Sequence, residues 1–274
     1  ETSSCYMDKN NILAERYIDE ALPDHWNVGE SLESFNCLLN HIENNTNFKF
    51  YFEKAFSQLM IDRKESDMVV LDIGGGVGWT SALMAKHPRV RKVILLEPSS
   101  NRRSINKYIL KHFKVPEGKV ESINGTFQDF KLSEKVDVVV LCAAIHHCFD
   151  EFIPILFDNI KRSLKEPIGK SRILIANDHV VTPLWTLKRF AGYIKNSILG
   201  RRETLWNSLG NLRAPQPYSS EHWRSRKEID DIIKNASYTH RFFKIKESDL
   251  CVKSPSYLYK LQWVYYYSLL DRIE

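Results

Sequence analysis

The sequence predicts an α/β fold: a doubly wound, mostly parallel seven-stranded sheet with a C-terminal antiparallel hairpin, an N-terminal helical addition and a helical insertion after strand 5. Three observations predict it. Residues 69–73 form a short apolar run rich in β-branched residues, the signature of a strand buried on both faces. Glycines at 74, 75, 76 and 78 follow, and then residues 81–86 read as a helix. Strands and helices alternate from there to about residue 176, which is the pattern of a parallel sheet wrapped by helices.

The elements before the glycine loop are helical. Residues 11–22 and 31–61 carry apolar residues at helical spacing, such as Phe35, Leu38, Leu39 and Ile42, then Phe52, Ala55, Phe56 and Leu59. Residues 23–29, opened by Pro23, separate the two stretches, and Ser31 is placed to cap the second. Such an addition either covers a site or serves packing or dimer contact.

After the loop, residues 92–97 read as a second strand ending in Glu97, and 101–113 as a helix. Residues 119–123 are a third strand, and 136–144 a fourth, followed by Ile145-His146-His147-Cys148-Phe149. Residues 150–165 form an amphipathic helix that stops before Pro167. Residues 171–176 are a fifth strand with Asn177-Asp178-His179 at its carboxyl end. Helix 227–235 and two last strands, 239–247 and 257–268, complete the order. The domain reading is a helical cap over 1–65, a cofactor-binding core over 66–182, a helical lid over 183–217, and the rest of the core over 218–274.

Composition bounds the function. With 274 residues and 43% hydrophobic content, the chain can bury one large core. No stretch spans a membrane; the apolar run 136–145 is too short and holds Asp137. The five cysteines are odd in number and form no Cys-x-x-Cys pair, which fits a reducing, cytoplasmic setting and speaks against a zinc site or a disulfide framework. The sequence opens on Glu1 rather than Met, which leaves a removed targeting peptide open.

The net charge of +5 is concentrated. Between 183 and 214 stand Lys188, Arg189, Lys195, Arg201, Arg202 and Arg213 against Glu203 alone, and the remaining 33 bases and 33 acids balance. The same segment interleaves Leu184, Trp185, Leu187, Phe190, Tyr193, Ile194, Ile198 and Leu199 at helical spacing. A basic, aromatic lid suits an acidic ligand carrying phosphate or carboxylate, and it can also lie on a membrane surface. A solvated helix packed on the domain is the plainer alternative.

The spacing of the glycines decides which ligand they suit. A dinucleotide fingerprint needs Gly-x-Gly-x-x-Gly. Counting from Gly74 and Gly76 puts the third position on Trp79, and from Gly76 and Gly78 on Ser81, so that reading fails. No Gly-Lys-Ser/Thr follows, so the phosphate-binding P-loop fails too. What remains is Asp72-x-Gly74-x-Gly76-x-Gly78 at the end of a strand. This resembles motif I of class I S-adenosylmethionine-dependent methyltransferases, and the final antiparallel hairpin is similar to theirs. The resemblance runs from about residue 66 to 270.

The resemblance implies S-adenosylmethionine as cofactor, with Asp72, Gly74, Gly76 and Gly78 at its methionine part. Glu97 lies 21 residues past Gly76 and takes the ribose hydroxyls. Thr126 stands where the family often has an adenine-binding Asp, with Asp129 three residues on, and Phe127 either packs on the adenine face or belongs to the core. Ala143, at the end of the fourth strand, is a further cofactor contact. Many small-molecule members carry a His-His pair beyond that strand, as His146-His147 does here. His147, His179 and His222 are the candidate bases for an acceptor hydroxyl, and Asp178 can orient or deprotonate the acceptor beside His179. Two adjacent histidines without an acidic cluster make no metal site.

The implied activity is methyl transfer to a small-molecule acceptor, a hydroxyl of a natural product or surface glycan, acidic or lipid-linked. Asn177-Asp178-His179 does not match the Asn/Asp-Pro-Pro-Tyr/Phe motif that holds exocyclic amines of bases, and the modest charge disfavours a nucleic-acid partner. RNA or protein methylation, a non-catalytic cofactor-binding role, peripheral membrane contact and a homodimer all stay open.

Overall fold

A computed structural model of the chain describes residues 26–165, 172–181, 183–200, 224–236, 238–242 and 264–272. The expected helix 11–22, segment 201–217, and the loop with Tyr218, His222 and Trp223 lie outside the described residues.

The sheet is built on buried hydrophobic runs. β1 (Met68–Ile73) is buried at every residue, and so is β4 (Val138–Cys142). β2 (Val90–Leu96) and β3 (Val120–Ile123) extend the sheet on one side of β1, and β5 (Ile173–Val181) on the far side of β4. These five strands pair in parallel in the order β3-β2-β1-β4-β5. β8 (Val264–Arg272) then runs antiparallel to β5, and β7 (Tyr238–Phe242) antiparallel to β8. A two-residue strand, β6 (Arg224–Ser225), pairs with the end of β5, so the sheet has eight strands among the described residues, where the sequence reading expects seven.

Alternate residues of each strand serve the two faces. Met68, Val70, Val138 and Val140 join a core under α1 (Leu32–Leu39), α2 (Phe48–Asp62), α3 (Trp79–Ala85) and α4 (Ser100–His112). Val69, Leu71, Ile73, Val139 and Leu141 join a second core under α5 (Ile153–Ser163) and α7 (Arg226–Asn235). Helices on both faces explain why the strands read as continuous apolar runs. The helix between them, α6 (Pro183–Ile198), has no residue in either core among its described side chains.

Two elements depart from the sequence reading. Residues 31–61 are not one helix: α1, capped by Ser31, gives way to a π-helical turn at Asn40–Asn45, and Asn47 adopts a left-handed φ of 55° before α2. Asn side chains compete with the helical backbone and tolerate that conformation, so the Asn-rich stretch is where the break falls. β5 does not stop at Ala176 but runs to Val181, because β8 and β6 pair alongside its second half. Asn177 sits there with φ 54° at an irregularity in the β5–β8 register. Its side-chain amide donates to Phe48 O at 3.0 Å and so ties the start of α2 to the sheet.

Candidate active site at the carboxyl edge of the sheet

The glycine loop after β1 is held by its own backbone. Gly74 and Gly75 both donate N–H groups to Leu96 O, at 2.9 and 3.2 Å, which docks the loop on β2. Gly76, at φ 56°, donates to Glu97 Oε2 at 3.1 Å, and a methyl group added there would meet nothing within 4 Å. The loop is open at that point. Gly78 is the opposite case: its φ is 89°, and an added methyl would lie 1.7 Å from Asn106 Nδ2 of α4, the group that donates to Val77 O. Only glycine fits there.

Two buried carboxylates flank this loop. Asp72 accepts from Thr80 Oγ1 at 2.7 Å and Ser81 Oγ at 2.6 Å, both on the same oxygen, Oδ2. Its Oδ1 is buried with no hydrogen-bond partner among the described residues. Burial pushes its carboxyl up to about 6, although both hydroxyls pull it back. Glu97 accepts from Ser99 N at 3.0 Å through Oε1 and from Gly76 N through Oε2. Burial raises its carboxyl too, opposed by those hydrogen bonds and by Arg102 and Arg103. An unsatisfied buried carboxylate oxygen beside an open glycine loop fits a ligand that brings a cationic donor.

The segment after β3 closes one side. Thr126 N donates to Asp129 O at 2.9 Å, and Asp129 N donates to Thr126 Oγ1 at 3.2 Å. Thr126 is thus bound within its own turn. Asn159 of α5 donates to Phe127 O and Gln128 O and fixes the half-buried Phe127. A methyl on Gly74 would lie 3.0 Å from Ala144 Cβ and 3.8 Å from the tip of the Phe127 ring. The loop after β1, Phe127 and the end of β4 therefore meet at one place, and Phe127 also packs against the second core.

The end of β4 is the most tightly specified part. Ala143 has a φ of 50°, unusual for a residue with a side chain, and its N–H stays on Ala176 O at 2.8 Å. A 3-10 turn, Ile145–His147, follows. Asp178, buried in β5, receives this turn: Oδ2 accepts from the N–H groups of Ala144 and Ile145, and Oδ1 from the N–H of His146. The His146 ring adds a contact of 2.6 Å from Nδ1 to Asp178 Oδ1. From the other side, Arg224 donates to Ile145 O at 3.0 Å and to Cys148 O, and grips Asp150 Oδ1 at 2.9 and 2.6 Å.

These contacts correct one reading. Asp178 does not stand free beside His179 as an acceptor base; its oxygens are committed to the turn. The histidine pair divides: His146 is buried, while His147 is half-buried, its ring 4.1 Å from that of His146. His179 lies within β5 with its backbone paired to Tyr265, and its side chain and His222 lie outside what is described. Cys142 and Cys148 are buried thiols, pushed up well above the usual range and to about 12 respectively, so neither is a ready nucleophile.

The sequence reading missed Arg224 altogether. The local sign was there: Ser225 and Glu228 form a capping box that fixes the start of α7 and hence puts Arg224 at the sheet edge. Its partners, 74 to 79 residues away, leave no such mark.

Residues 70–167 match the family model described as "Methyltransferase domain". No curated protein matches the chain. Among solved structures, the putative methyltransferase bound to the Trm112 methyltransferase activator of Haloferax volcanii aligns at 12% identity and a TM-score of 0.57, over 93% of this chain and 100% of that one. Magnesium protoporphyrin IX methyltransferase from Synechocystis PCC 6803, solved with bound SAH, aligns at 11% identity and a TM-score of 0.55, over 97% and 95%. DhpI in its complex with SAH aligns at 10% identity and a TM-score of 0.54, again over 97% and 95%.

Proposed function

We propose that this chain, a class I methyltransferase that uses S-adenosylmethionine, methylates a hydroxyl of a small acidic acceptor such as a natural product or a surface glycan. The observation that carries the reading is the position of His147. It sits on a turn fixed from both sides by Asp178 and Arg224, at the sheet edge where the glycine loop and Phe127 converge. Parallel sheets of this kind bind ligands at that edge.

Bound there, S-adenosylmethionine supplies a methyl carbon already activated by a sulfonium leaving group. The residues that would hold it are Asp72 and the glycine loop for the methionine part, Glu97 for the ribose, and Phe127, Thr126 and Ala143 for the adenine end. Glu97 is already fixed by two backbone N–H groups, so its carboxylate is oriented before any ligand arrives. His147 takes the proton of the acceptor hydroxyl as the oxygen attacks, and the neighbouring His146 ring, held by Asp178, packs against it at a tilt. The chain's other task is alignment, since direct displacement requires the acceptor oxygen, the methyl carbon and the sulfur in line.

The charge supports an acidic acceptor: every unbalanced base lies in 183–214, directly after the strand that carries Asp178. The magnesium protoporphyrin IX methyltransferase, whose named substrate is a small molecule, aligns over nearly the whole chain.

Calorimetric titration with S-adenosylmethionine and S-adenosylhomocysteine, with NAD as control, tests the cofactor. Transfer of labelled methyl to panels of acidic small molecules and to bulk RNA then tests the acceptor. Labelling of RNA in preference to small molecules would replace the reading, and cofactor binding with no labelling of either panel would favour a non-catalytic role.

A further inference from the structure

α6 is a helix with an apolar face that nothing in the described structure covers. Leu187, Phe190, Ile194 and Ile198 recur at intervals of three and four, which places them within about 80° of arc on one side. Their exposure runs from 43% at Phe190 to 80% at Ile198. Leu199 follows, also exposed. No described side chain of α6 is buried, so the helix lies on the periphery and its stripe faces outward. An exposed stripe of this kind marks a contact surface rather than a core.

The charge says what the surface contacts. Lys188 and Lys195 are seven residues apart and so share one side of the helix, along the border of the stripe. With Arg189, and with Arg201 and Arg202 just beyond it, this segment holds all of the chain's excess positive charge. A protein partner would be met by the apolar stripe alone. A surface with an apolar interior and anionic headgroups needs both parts at once. The helix is not long and apolar enough to cross a membrane, so its place is in the interface.

We infer that α6 docks the protein on an anionic lipid surface, with Phe190, Ile194 and Ile198 at the acyl boundary and Lys188 and Lys195 on the headgroups. α6 starts two residues after the end of β5, the strand that carries Asp178. Docking there brings the lipid surface close to the carboxyl edge of the sheet, where an acceptor embedded in or tethered to that surface meets the site. The docking itself does not depend on the identity of the methyl acceptor.

Flotation of the full chain with vesicles tests this. Vesicles of phosphatidylcholine and phosphatidylglycerol in equal parts carry the protein, vesicles of phosphatidylcholine alone do not, and added salt releases it. The K188Q/K195Q double variant lowers partitioning about thirtyfold. The F190S/I194S variant lowers it at least about tenfold. Both variants bind S-adenosylhomocysteine as the parent chain does, which shows that they are folded. Failure of the anionic vesicles to carry the protein overturns the inference and leaves the stripe to another segment of this chain or to a second copy. Undiminished flotation of F190S/I194S overturns it as well, because charge alone would then account for the contact.

Discussion

Asp178 and Arg224 hold the same turn by its two polarities. The carboxylate accepts the N–H groups of Ala144, Ile145 and His146, at 3.2 to 3.3 Å, and the guanidinium donates to the carbonyls of Ile145 and Cys148. Each charge is buried and is met by backbone dipoles at the end of a strand, and Ile145 O takes the Cys148 N–H at 3.0 Å as well. The turn carries His146 and His147, so whatever fixes it fixes the imidazoles.

Removing either end should therefore cost more than an ordinary polar substitution. D178N turns an amide donor toward backbone N–H groups and should lose about 3 kcal/mol in urea unfolding. R224M keeps the aliphatic stem but takes the guanidinium from Cys148 O and from Ile145 O, which keeps the Cys148 N–H, for about 2 kcal/mol. Both release the same turn, so the double variant should lose less than the two separate losses combined. Strict additivity would mean that the two residues act on independent parts of the structure.

The loop predicts a contrast between two glycines. G78A forces a side chain to φ 89° and into the amide of Asn106, so it should unfold at markedly lower urea, by about 3 kcal/mol. G76A meets open space and should cost only about 1 kcal/mol for its left-handed φ. Yet G76A should lose at least about tenfold in S-adenosylmethionine affinity, because its methyl occupies the approach to the bare backbone. A G76A protein that binds the cofactor normally would place the ligand elsewhere.

What could be read from the sequence was what spacing encodes. Asp72-x-Gly74-x-Gly76-x-Gly78 located the loop, and the 21-residue interval to Glu97 located a carboxylate that lies within 3.1 Å of Gly76 N. β1, β4 and β5 announced themselves as apolar runs because both faces of the sheet are covered. What could not be read depends on partners distant in the chain. Ala176 ends the apolar run, so β5 seemed to end there, yet β8 continues the pairing for the polar residues Asp178 and His179. Asp178 looked like a base beside His179 because its true partners lie 32 to 34 residues earlier. The break at Asn40–Asn45 was legible in principle from its asparagines, but the apolar spacing across it suggested one helix.

Asp72 predicts an unusual pH dependence. Its folded carboxyl is held at about 6 against an ordinary 3.8, so between those values the folded chain keeps a proton that the unfolded chain has released. Stability contributed by this group therefore falls as pH rises across that window, by up to about 3 kcal/mol. D72N still offers an oxygen to Thr80 and Ser81 and removes the buried charge. It should flatten that slope, melt higher than the parent chain at neutral pH, and bind S-adenosylmethionine more weakly. A D72N protein with lower stability at neutral pH and unchanged affinity would show that the carboxylate serves the fold alone.

His147 and His146 should separate by function. H146N loses the ring contact to Asp178 and should lower stability, with an effect on turnover that follows from the disturbed turn. H147N leaves the clamp intact, so its melting and its cofactor affinity should match the parent chain. Its kcat should nevertheless fall by about two to four orders of magnitude, the usual contribution of a positioned base. Initial rates of methyl transfer, beside calorimetry on the same preparations, would measure both. If H147N turned over at the parent rate, the base would have to be His179, His222 or solvent, and the turn held by Asp178 and Arg224 would position the site without taking the proton.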